Sequence, residues 1–173
     1  MATQHTKTPK LPGDERIEKA LLGAALLSKG NFYAAAERLE PGMFYSTAHQ
    51  RIFQAMLDLA QAGVELNQIT VGERVDGDAA VKGGAVYVAC LVDGCPDVAP
   101  IEHYSEIIRG HAEKRKLALE GENLTANALD RSKSSREVLE NIESVIGAMR
   151  EDQLARAQTA IPIKDAVHET LPS

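Results

Sequence analysis

Apolar positions recur at helical spacing along most of this chain. Ile17, Leu21, Ala24 and Ala25, flanked by Leu22 and Leu26, make one broad apolar face that ends near Leu27. Asp14 stands where it can cap that helix, Glu15 and Glu18 favour the positive end of its dipole, and Lys29-Gly30 is expected to close it. Asn31 to Leu39 reads as a second, short helix that Pro41-Gly42 breaks. Ile52, Phe53, Met56, Leu59 and Ala60 define a third, from about Thr47 to Ala62. The T-x-x-Q pair Thr47 and Gln50 is expected to open it reciprocally, and Gly63 can take the left-handed conformation that ends it.

The middle of the chain is less regular. Thr70 and Glu73 repeat the box spacing and suggest a short helix to Arg74 or Val75, although the β-branched residues leave a strand open. Asp76-Gly77-Asp78 is loop. Gly83-Gly84 introduces Ala85 to Leu91, where Val86, Tyr87, Cys90 and Leu91 fit helical spacing better than a period of two.

After a breaker-rich loop from Asp93 to Pro100, a long helix starts with Ile101, Tyr104, Ile107, Ile108 and Ala112. It runs through Leu117 and Leu124 to about Ala128 without a proline. Asp130 to Ser135 is a polar turn, and Ser134 and Glu137 form a capping box. Val138, Leu139, Ile142, Val145, Ile146 and Met149 then repeat as a single stripe. Two long helices on a short turn predict an antiparallel hairpin. The expected fold is all-α: a disordered tail over 1–12, a globular helical head over 13–112, a helical hairpin over 113–157 and a linker segment over 158–173. In the linker Ile163, Ala166, Val167 and Leu171 predict a short amphipathic helix.

Composition narrows the class. The 173 residues are enough for one domain with a sizeable core, or one domain and an appendage. No apolar run approaches the roughly 20 residues that cross a bilayer, and the first ten residues lack the apolar segment of a signal peptide, so a cytoplasmic protein without a membrane partner is expected. Nineteen basic against 25 acidic side chains leave a formal charge of -6, which disfavours nonspecific attraction to phosphate backbones. The one basic cluster, Lys114-Arg115-Lys116, reads as a solvated helix face before it reads as a nucleic-acid contact.

Candidate chemistry is thin. Cys90 and Cys95 fit a reducing compartment, and with His103 and His111 downstream their spacing invites a zinc site. The competing reading makes Cys90 a small buried thiol at a periodic apolar position. His49, in the first turn of the third helix, could act as a general base or simply hydrogen-bond a nearby backbone carbonyl. The phosphate-binding signature G-x-x-x-x-G-K-[ST] is absent, as are G-x-S-x-G and H-E-x-x-H. No catalytic residue, cofactor or metal is therefore expected.

Three motifs stand in order. They are Glu18-x-x-Leu21-Leu22-Gly23, then Pro41-x-x-Phe44-Tyr45-x-x-x-His49-x-x-Ile52-Phe53, then Gly83-Gly84-x-x-Tyr87-x-x-x-Leu91, with Ile101-Glu102-His103-Tyr104-x-x-Ile107-Ile108-Arg109 following. Together, from about Leu11 to Met149, they resemble the N-terminal domain of the bacterial replicative DNA helicase, the DnaB family. The resemblance implies a noncatalytic domain that dimerises, often through the hairpin, helps organise the hexamer as a trimer of dimers, and receives the C-terminal domain of the primase. A helicase loader is a further candidate partner, and DNA would be met only through the parent helicase. The alternative is a free-standing adaptor or regulator that binds helicase subunits.

Carried over by position, Tyr87, Leu117 and Leu124 are the leading protein-interface candidates, joined by Tyr104, Ile142, Val145, Ile146 and Met149. Tyr87 can equally be core with its hydroxyl at the edge, and the hairpin leucines can be covered by the other hairpin helix. Glu120-Gly121-Glu122 is more polar than family hairpins usually are.

Overall fold

In the computed structural model, residues 11–95 and 100–159 are described, and all regular structure among them is helical. The order is α1 (Glu15–Leu27), α2 (Lys29–Ala36), a 3-10 turn (Pro41–Met43), α3 (Thr47–Gln61), α4 (Gln68–Val75), α5 (Gly84–Asp93), α6 (Ile101–Leu129) and α7 (Ser135–Thr159). Residues 1–10 of the tail expected over 1–12, most of the linker segment and its amphipathic helix lie outside the described residues. Two units are distinct, dividing between Ala118 and Leu119.

The first unit holds the core. Helix α1 packs on α2, α3 and α5, while α4 packs on α3 and α5. Leu21, Leu22, Phe32, Phe44, Ile52, Phe53, Met56, Val71 and Val88 are almost wholly buried. Phe53 stands at the centre of an aromatic cluster, its ring 5.0 Å from Phe44 and 6.3 Å from Phe32, separations at which tilted rings attract. The start of α6 closes the core with Ile101 and Ile108. Gly23 lies where α1 crosses α5, and a β-carbon there would collide with the Leu91 carbonyl oxygen. Glycine at that position permits the close approach of the two helices.

Several local expectations are corrected by the helix ends. Lys29-Gly30 opens α2 instead of closing α1: Ser28 donates its amide to Ala24 at the end of α1, and its hydroxyl accepts from the Asn31 amide to start α2. No strand forms at 68–75. There Asn67, not Thr70, is the cap, and Thr70 supplies the third-position side chain of the box with Glu73 playing no part. The Thr47 and Gln50 box does not form either. Ser46 is the cap residue without a side-chain bond, and the Gln50 amide donates to the Phe44 carbonyl at 2.8 Å.

On α5 the buried face is Gly84, Val88 and Leu91, with Tyr87 half-buried. Val86 is 71% exposed and Cys90 is exposed, so the expected apolar face is rotated. Gly72 of α4 lies close to Ala85, and a β-carbon there would stand 3.0 Å from the Ala85 Cβ.

The second unit comprises the end of α6, a turn and α7. Lys133 donates its amide to the Asp130 carbonyl in the turn, and Ser134 and Glu137 form the expected reciprocal box at the start of α7.

Candidate functional site

Each motif contributes one polar residue to a single buried cluster. Glu18 comes from the first turn of α1, His49 from the first turn of α3 and Tyr87 from the first turn of α5. Glu18 is 2% exposed and His49 is wholly buried, which is unusual for a charged side chain unless it is fully partnered. Glu18 is so partnered. Its carboxylate accepts the backbone amides of Tyr45 and Ser46 and stands 2.6 Å from His49 Nδ1. On the other side of the ring, Nε2 lies 2.8 Å from the Tyr87 hydroxyl.

The carboxylate does for α3 what a capping-box glutamate does for its own helix, placing negative charge and an acceptor at the helix start. Here it arrives from another helix. With the carboxylate ionised, Nδ1 donates to it, and the neutral ring's Nε2 accepts from the phenol. Burial raises the Tyr87 pKa, with the charges of Glu15, Glu18 and Cys90 adding to it, so the phenol remains a donor. Lys19 lies 5.9 Å from the centre of the Tyr87 ring, on its face.

Carboxylate, imidazole and hydroxyl in this order are also the parts of a nucleophilic triad. Here the same three groups lie on three different helices, α1, α3 and α5, and join them. The cluster orders three helices and the aromatic turn. The partners of His49 are a carboxylate and a phenol in place of the expected backbone carbonyl.

A second polar site lies at the far side of the aromatic turn. Arg115 of α6 donates to the Pro12 carbonyl at 2.7 Å and the Met43 carbonyl at 2.6 Å, with its guanidinium 5.8 Å from the Tyr45 ring centre. Burial lowers its pKa, opposed by the negative charge of Glu18 and by Tyr45. The solvated-face reading of the Lys114-Arg115-Lys116 run therefore fails at its middle residue. Nothing in the sequence marked Arg115 off from its neighbours.

Among the interface candidates, Tyr87 and Tyr104 are half-buried and packed against the core of the first unit. Leu117 is 56% exposed. Leu124, Ile142 and Val145 are half-buried, Ile146 is exposed, and the Met149 side chain lies outside the described residues. Leu119, Leu129 and Leu139, none of them among the interface candidates, are exposed too. Among the described residues no three His, Cys, Asp or Glu side chains stand close enough to hold a metal ion, and Cys95 Sγ is directed at the Ala20 carbonyl.

Residues 10–110, which contain the Glu18, His49 and Tyr87 motifs, match the family described as the DnaB-like helicase N terminal domain. This chain belongs to that family. As a DnaB-like domain it is 36% identical over 146 residues to the replicative DNA helicase DnaB of Treponema pallidum, covering 83% of this chain and 33% of that protein. The corresponding helicase of Mycobacterium leprae is 29% identical over 164 residues, of which this chain spans 27% of the length. Among solved structures, the N-terminal domain of the DnaB helicase from Mycobacterium tuberculosis superposes with a TM-score of 0.71 at 31% identity, covering 79% of this chain and 99% of that one. The N-terminal domain of the DnaB helicase from Helicobacter pylori, solved in a study that includes its interactions with primase, shares the fold with a TM-score of 0.60 at 22% identity, over 67% of this chain and 92% of that one. Among the described residues no helix is long and apolar enough to cross a membrane.

Proposed function

We propose that this DnaB-like domain is a noncatalytic assembly and docking element of a replicative DNA helicase, self-associating and receiving the C-terminal domain of the primase. The observation that carries the reading is the set of exposed aliphatic side chains on α6 and α7: Leu117, Leu119, Leu129, Leu139 and Ile146. Exposed aliphatic side chains gain by meeting a protein partner, because each Å² of apolar surface removed from water contributes about 25 cal/mol. Family membership supports the same reading, as does the primase interaction named for the Helicobacter pylori domain.

The domain is read as working by contact alone. Its buried carboxylate, imidazole and phenol hold the first unit in shape, and ATP-driven work belongs to the parent helicase. The test is calorimetric titration of the full chain with the primase C-terminal domain from the same source, alongside sedimentation of the chain alone. Saturable binding together with concentration-dependent self-association is the expected result. A folded, monomeric chain that takes up no primase domain would overturn the reading.

A further inference from the structure

Two Asp-Gly pairs occur in the chain, Asp76-Gly77 and Asp93-Gly94, and all four residues are exposed. Such a pair can rearrange without an enzyme, because glycine carries no side chain to hinder attack of its amide nitrogen on the preceding carboxyl carbon. The peptide between the two residues must first rotate to bring that nitrogen to Cγ. Its hydrogen bonds resist the rotation, and in these the two pairs differ.

Asp93 is the last residue of α5, and the Gly94 amide donates to the Cys90 carbonyl at 3.1 Å. Rotating that peptide breaks the bond at the helix end. Asp76 and Gly77 are instead the central residues of a turn closed by the Asp78 amide on the Val75 carbonyl at 3.1 Å. Asp76 has φ −65° and ψ 132°, and Gly77 has φ +79°, which fits a type II turn. The central peptide of such a turn stands outside the closing bond. Among the described residues neither the Gly77 amide nor the Asp76 carbonyl has a hydrogen-bond partner, and a β-carbon on Gly77 would meet nothing within 4 Å.

The Asp76 carboxylate also has a place to lose. A β-carbon on Gly84 would collide with Asp76 Oδ1, so that oxygen lies against the first residue of α5. Gly83, the cap residue of α5, makes no side-chain bond, and the carboxylate puts negative charge near the positive end of the helix dipole.

We propose that Asp76-Gly77 is a site of spontaneous isoaspartate formation, selected over Asp93-Gly94 by its unbonded central peptide, and that the rearrangement loosens the start of α5. The Gly77 nitrogen bonds to Asp76 Cγ, and the carboxyl hydroxyl leaves with the amide proton as water, giving a succinimide. Water then adds at the former main-chain carbonyl carbon, its bond to nitrogen breaks, and the nitrogen takes a proton. Nothing is oxidised or reduced, and the water lost is regained. The chain now runs through Cγ with an extra methylene, and the free carboxylate is displaced from Gly84.

The test incubates the full chain in neutral buffer, folded and in urea, and follows isoaspartate by peptide mapping and by labelled methyl transfer from S-adenosylmethionine with an isoaspartyl methyltransferase. In urea the two pairs should react alike. In the folded chain product should accumulate at 76 about tenfold or more faster than at 93, where the end of α5 must first open. Amide exchange over 84–88, read by mass spectrometry, should rise as the wild type ages. It should stay level in Asp76→Glu, whose longer side chain closes a less favoured ring. Equal rates at 76 and 93 in the folded chain, or no product at 76, overturn the proposal. A preference for 76 that persists in urea traces to neighbouring sequence and overturns selection by the turn. Product at 76 with exchange over 84–88 unchanged overturns the loosening of α5.

Discussion

The carboxylate of Glu18 stands 2.6 Å from Nδ1 of His49, both sealed from solvent and 31 positions apart in the chain. That pairing joins α1 to α3, and the opposite ring nitrogen joins α3 to α5 through Tyr87. A polar network of this kind is costly to break from one side, because each partner left behind is buried without a hydrogen bond.

Replacing His49 with alanine should therefore destabilise the first unit by about 3–5 kcal/mol, the range for removing one partner of a buried pair. His49→Gln should recover part of the loss by keeping one polar contact. Urea unfolding of the two variants measures both, and a cost below about 1 kcal/mol for alanine would show that the network contributes little beyond shape.

Two glycines inside helices predict opposite outcomes. At Gly23 a β-carbon meets the Leu91 carbonyl, so Gly23→Ala must push α1 from α5 and should cost about 1–3 kcal/mol. At Gly147 a β-carbon meets nothing within 4 Å, and Gly147→Ala should stabilise α7 by about 0.5–1 kcal/mol. Paired thermal melts decide it; equal shifts of the same sign would contradict the packing.

Helix periodicity made most of the fold legible. Asp14, Gly63 and the Ser134 and Glu137 box mark ends that the chain uses where the sequence places them. What stayed hidden was information carried between distant segments. Spacing at Thr47 and Gln50 suggested a local cap, yet the acceptor came from Glu18, 28 positions before Ser46. Nothing adjacent to Glu18 distinguishes it from Glu15, which is exposed. The same holds for Arg115 between two exposed lysines, since only the fold brings Pro12 and Met43 to it. Motif comparison did single out Glu18, His49 and Tyr87, but as separate marks and not as one cluster.

Tyr87 should titrate late. Its pKa is raised, first by burial and then by neighbouring negative charge. A group whose folded pKa exceeds its unfolded value contributes stability that is complete below the unfolded pKa and is lost as pH rises through the folded one. Stability should thus fall above the ordinary tyrosine range, and Tyr87→Phe should remove that part of the fall. Spectrophotometric titration of the chain's four tyrosines checks it: one phenolate should lag in the wild type and vanish from the variant. Four indistinguishable phenols would be the contrary result.

The docking reading predicts that Leu124→Glu weakens self-association or primase binding by tenfold or more, about 1.4 kcal/mol, while the first unit melts as before. Leu124 lies in the second unit, beyond the division after Ala118, and is half-buried there. Sedimentation, titration and a melting curve on one preparation separate the outcomes, and undiminished association in a folded variant removes Leu124 from the interface.

The acceptor at the start of α3 also ties that helix to a distant part of the chain. A helix whose opening amides are held by its own cap can begin to form as soon as its first turn is made. This one gains the acceptor at its start only when α1 is docked, because Tyr45 and Ser46 give their hydrogen bonds to Glu18. Until then a segment rich in core aromatics, Phe44 and Phe53 among them, lacks its starting contact. Removing α1 would therefore strip α3 of the acceptor at its beginning.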